Sequence, residues 1–142
     1  MRTTLTHTTV YVLDQDAARA FYTDKLGFEV ADDVSMGEEF EGAGAGFRWL
    51  TVSPPEQPEI RFILADVAMG HDAATTTQLR ELIAKGTFGA GVLETNDCRK
   101  AYELLSARGV AFLQEPIERP YGVEAVFRDD SGNWFSLSEQ AH

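Results

Sequence analysis

The chain reads as α+β, built from two tandem βαβββ units, and three observations predict this. Alternating β-branched and apolar residues open each half as a strand, THTTVYVL (6–13) in the first and AGVLET (90–95) in the second. Each strand runs into a polar capping residue and then a helical stripe ended by glycine. The markers also share one spacing: Asn96 lies 82 residues after Asp14, and Gly109 lies 82 after Gly27. Equal offsets mark a duplicated unit.

In the first unit, Asp14 caps a helix whose apolar residues Ala17, Ala18, Phe21, Tyr22 and Leu26 share one face, with Gly27 as its stop. Three strands follow: FEVADDV (28–34), FRWLTVS (47–53) and EIRFILA (59–65). The Gly-rich EGAGAG (41–46) joins the first two as a flexible hairpin or pocket lip. It has neither the strand-to-helix context nor the Lys-Ser/Thr ending of a phosphate-binding loop. Residues 66–87 form a linker too long for a structureless loop, and Leu79, Leu82 and Ile83 predict a helix over about 76–85, stopped by Gly86. The second unit repeats the order. Asn96 caps a helix with Cys98, Ala101, Tyr102 and Leu105 on one face, and VAFLQEP, VEAVFRD and NWFSLSE supply its strands. The chain thus reads as one domain over 1–142, with repeats over about 5–65 and 88–140.

Composition narrows the function. The 142 residues are 44% hydrophobic, enough for one real core, and carry a formal net charge of -11. That charge repels nucleic acid and anionic membrane surfaces, and no basic stripe offsets it. No apolar run is long enough to span a bilayer. The start, MRTTLTHTTVYVL, has no apolar export core, and Cys98 is the only cysteine, so a reducing cytoplasm is expected. No Ser-His-Asp, Cys-His or paired-carboxylate constellation can be assembled, and Asp129 and Asp130 read as solvated turn carboxylates.

HTTVYVLDQDAARAFYTDKLGFEV in the first copy, with YELLSARGVAF and FRDDSGNWFSL in the second, resembles the vicinal oxygen chelate superfamily: the glyoxalase, bleomycin-resistance and extradiol-dioxygenase fold. The resemblance implies helices outside, a curved sheet around a cup, and commonly a homodimer. It also implies four metal-ligand positions, on the first and last strand of each copy. These fall on His7, on Gly89 or Ala90, on Arg61 or Ile63, and on Ser136. Only His7 is a good donor, and an arginine would repel a cation, so neither a metal nor another cofactor is expected.

What remains is a candidate pocket for a small molecule. If Arg61 and Ser136 face inward, alternation puts Thr9, Tyr11, Ile63 and Trp134 with them. The FRWLTV strand presents either Arg48 and Leu50 or Phe47, Trp49 and Thr51, and family strands favour Trp49. A desolvated Arg61 would select a carboxylate, phosphate or enolate; the alternative is an exterior ion pair with Glu59 or Glu56. His7 is either a buried hydrogen-bonded residue, a ligand contact or acid/base, or a metal ligand, and Trp49 and Trp134 either pack or bind. Tyr121, between Pro120 and Gly122, either closes over a ligand or covers the sheet end. The leading function is a metal-free protein that binds an aromatic or anionic small molecule through His7, Trp49, Arg61, Tyr121, Trp134 and Ser136. The alternative is an enzyme (lyase, isomerase or dioxygenase-like), metal-dependent or using His7 as acid/base. A third reading keeps only a partner-binding role.

Overall fold

The computed structural model describes residues 1–36 and 47–141. The first unit holds β1 (His7–Val12), α1 (Gln15–Ala20), β2 (Glu29–Met36), β3 (Phe47–Ser53) and β4 (Arg61–Asp66). The linker helix α2 (Ala73–Ala84) leads to β5 (Gly89–Glu94), α3 (Cys98–Ala107), β6 (Phe112–Arg119), β7 (Gly122–Arg128) and β8 (Trp134–Gln140). The order is the one the sequence predicts. The strands pair as two four-stranded sheets, β1-β4-β3-β2 and β5-β8-β7-β6, rather than as one continuous sheet. In each, the first strand runs parallel to the last and the remaining pairs are antiparallel. The segment 41–46 lies outside the described residues.

Local chemistry sets the helix ends. Asp14 caps α1 by accepting from the Ala17 N–H at 2.9 Å. The helix then continues as a π-helical turn over Phe21–Lys25, and Gly27 leaves it at φ 76°. Asp97, not Asn96, caps α3, accepting from the Lys100 N–H at 3.0 Å. Both residues cap well, but only Asp adds negative charge at the helix N-terminus. The caps are therefore 83 residues apart while the glycine stops keep 82. The linker helix starts earlier than its apolar stripe predicts, because Asp72 caps it through the Thr75 N–H. The threonines of its first turn stay helical by bonding back: Thr76 donates to the Asp72 carbonyl and Thr77 to that of Ala73.

Alternation along the strands builds one shared core. Val10, Val12, Leu50, Val52, Phe62 and Leu64 from the first sheet join Ala125, Phe127, Phe135 and Leu137 from the second, around Tyr22 and Leu105 from the helical segments. The Phe62 and Phe135 rings meet at 6.1 Å and those of Tyr22 and Phe135 at 6.2 Å. The helix-bearing faces of both sheets thus look into the same core, and their opposite faces turn away from it. Those opposite, open faces carry the candidate site. Among the described residues no helix is long and apolar enough to cross a membrane.

The turn FRDDSGNW joins the two units. Asp129 is not solvated, as its turn position suggests, but 2% exposed. Its carboxylate accepts from the Tyr22 hydroxyl at 2.7 Å, from the backbone N–H groups of Ser131, Gly132 and Asn133, and from the Asn133 side-chain amide. Asn133 also donates to the Tyr11 carbonyl, and Ser131 accepts from the Leu13 N–H. A buried carboxylate persists only when its lone pairs are occupied, and here they are. Through these bonds the turn docks the second unit onto β1 and the π-helical turn that follows α1.

Candidate functional site

On the first sheet, parallel pairing sets His7 opposite Arg61 and Thr9 opposite Ile63. Thr51 pairs with Ile63 and Val34 with Trp49, so Trp49, Thr51, Ile63, Arg61 and His7 share the open face. The His7 and Trp49 rings lie 5.9 Å apart. Arg48 takes the other parity and points to the α1 side, where it donates to Asp33 at 2.8 Å and Asp16 at 2.6 Å. Those bonds hold the Asp33 carboxyl below its ordinary range. Of the two arginines carried by β3 and β4, Arg48 is engaged through its Nε and both terminal nitrogens.

Arg61 is not. Its Nε is buried and finds no hydrogen-bond partner among the described residues, and it forms no ion pair with Glu56 or Glu59. One further step of the β3–β4 register places Ser53 opposite Arg61. Ser53 is 5% exposed and its Oγ is likewise without a partner. Two neighbouring buried donors left open are costly unless something fills them, about 1–3 kcal/mol for each neutral group and more for a charged one. Ser53 escaped the sequence reading, although the alternation that selects Trp49 and Thr51 reaches it two residues on.

On the second sheet, Gly89 pairs with Trp134 as His7 pairs with Arg61, and Val92 and Val126 flank Ser136. Trp134 is 37% exposed on the open face, and Ser136 is buried. The Ser136 hydroxyl donates to Glu124 Oε1 at 3.4 Å. Tyr121 occupies a tight turn between β6 and β7, where Arg119 pairs with Gly122. Its hydroxyl donates to Glu124 Oε2, and this bond raises the Tyr121 pKa. Tyr121 is thus committed to Glu124, a residue that sequence reasoning passed over because a lone strand glutamate reads as solvated. A separate cavity of about 390 Å³ lies between β1, α2 and the start of β5, against Tyr11, Leu79, Ile83 and Asn133, with no charged residue in its wall.

The metal positions of the family do not fit this chain. A Cβ built on Gly89 would stand 2.6 Å from the Trp134 ring, so the indole occupies the place a ligating side chain needs. Opposite His7 stands a guanidinium, whose charge opposes a cation. Among the described residues no three His, Cys, Asp or Glu side chains converge. Cys98 is buried, and burial pushes its thiol pKa up, away from ligand or nucleophile chemistry.

Comparison with known proteins agrees with this architecture. The crystal structure of UcmS2 superposes with a TM-score of 0.89 at 53% identity, covering 97% of this chain and 98% of that one. TnmS3, an antibiotic binding protein from Streptomyces sp. CB03234, gives 0.74 at 26% identity, covering 99% and 98%. The uncharacterized protein YurT of Bacillus subtilis (strain 168) is 35% identical over 134 residues, 94% of this chain and 96% of its own length. The family model of the Glyoxalase/Bleomycin resistance protein/Dioxygenase superfamily matches residues 4–137. With its paired βαβββ units and a match across nearly its whole length, this chain belongs to that superfamily.

Proposed function

We propose that this protein is a metal-free binder that sequesters a small aromatic ligand bearing an anionic group. The observation that carries the reading is the pair of orphaned buried groups, Arg61 Nε and Ser53 Oγ, on the open face that also holds His7 and Trp49. An oxyanion accepts from both, and the neighbouring rings bury the aromatic body, the usual division of labour in a small-molecule site. The description of TnmS3 as an antibiotic binding protein supports sequestration as the role. Trp134, Ser136 and Tyr121 supply the second wall. In this reading the first sheet of one protomer faces the second sheet of its partner, and the two walls come together in a homodimer. The buried thiol of Cys98 suits a reducing cytoplasm.

The test is a titration of the purified protein with 2-naphthoate, following tryptophan emission, with and without a chelator. Saturable quenching that the chelator leaves unchanged is the expected result. Quenching that requires Zn, Ni, Mn or Fe would return the protein to the metal-dependent enzymes.

A further inference from the structure

The second open face contains a carboxylate that the anion-binding role does not use. Glu124 projects from β7 on the face of Trp134 and Ser136, and its side chain is 21% exposed. It accepts one bond on each oxygen, from Ser136 on Oε1 and from Tyr121 on Oε2. The nearest cation, Arg119, stands 3.9 Å from Oε2 and is 39% exposed, a contact that solvent screens. A carboxylate has about four acceptor sites, so about two stay open. The position is set by more than the glutamate. The two-residue turn brings Tyr121 back onto its own strand, and the short Ser136 draws the carboxylate along the face toward Trp134. Side chains two residues apart on one strand face are separated by roughly 7 Å, the length of a bicyclic aromatic ring. A ring laid on the Trp134 indole therefore places a substituent at Ser136 and Glu124.

We infer that Glu124 is a specificity-determining residue, which reads a hydrogen-bond donor, a hydroxyl or amine, on the ligand's ring, with Tyr121 as its positioning residue. This inference rests on the binding role proposed above and narrows the ligand. It is an aromatic anion that also carries a donor at the end remote from its charge.

Calorimetry with four probes tests this: 2-naphthoate, 6-hydroxy-2-naphthoate, 6-methoxy-2-naphthoate and 2-naphthol. The wild type should bind the hydroxy acid about tenfold or more tighter than its methoxy isostere, as a charge-assisted hydrogen bond warrants. Glu124→Ala should bring the two within about twofold, with 2-naphthoate affinity and Tm unchanged. Tyr121→Phe should weaken the preference for the hydroxy acid over its methoxy isostere, because the bond that holds Glu124 in place is lost. An undiminished hydroxy preference in Glu124→Ala, or an equal loss for all probes, overturns the role of Glu124. The 2-naphthol arm separates the two claims: its binding should survive Arg61→Met and fail in Glu124→Ala. If Arg61→Met spares the naphthoates while Glu124→Ala abolishes the preference, the anion site falls and the donor-reading role stands. If no probe binds the wild type, both fall.

Discussion

At position 61 alternation alone leaves two registers open in the sequence; the buried Phe62 puts Arg61 on the open face, and the pairing of Thr51 with Ile63 brings Trp49 rather than Arg48 to the same side. Burial of Asp129 could not be counted this way. A turn aspartate reads as solvated until the Tyr22 hydroxyl arrives from 107 positions away in the chain. Asp129→Ala should therefore cost about 3 kcal/mol or more, because the buried donors it serves are left open together, and denaturant unfolding would measure it. Its neighbour makes a pH-dependent contribution. Asp130 itself reaches solvent, but desolvation of its carboxyl beside the packed turn and the adjacent Asp129 charge push it up from 3.8 to about 6. A carboxyl whose folded pKa is raised binds its proton more tightly when folded, so ionisation between about pH 4 and 6 subtracts stability. Asp130→Asn should raise Tm at neutral pH and leave it nearly unchanged at about pH 4. A uniform shift across that range would contradict the sign.

Elements were more legible than their junctions. Period-2 and helical patterns are local, and they place the strands and helices found among the described residues, with β3 at the residues 47–53 that its pattern marks. Ends depend on which of several capping groups wins, hence Asp97 in place of Asn96 and the earlier start at Asp72. Sheet closure was not legible, since nothing local tells whether β1 and β5 pair with each other or only within their own units. The junction between α2 and the β7–β8 turn makes a further prediction. Gly132 sits at φ 126°, with the Ile83 carbonyl in the path of any Cβ. Gly132→Ala should destabilise by about 3 kcal/mol or more, combining backbone strain with displacement of α2. Thermal unfolding indistinguishable from wild type would show that α2 docks elsewhere.

For the whole molecule, the homodimer proposed above has to overcome the repulsion between two chains of formal charge -11, so apolar burial must drive it. Val92, Ile117 and Trp134 leave apolar surface on the second face, and an isologous dimer covers such surface twice. Light scattering at micromolar concentration should give twice the 15.7 kDa chain mass; the single-chain mass would refute the dimer. Zn, Ni, Mn or Fe should produce no saturable rise in Tm, since tight binding to the folded state must raise it. The central claim is that Arg61 waits for an anion, and it is tested most directly by the affinity of 2-naphthoate for wild type against Arg61→Met. A loss of about 2–5 kcal/mol with Tm preserved is predicted, because methionine keeps the stem and removes the charge. Equal affinity in the two proteins would contradict it.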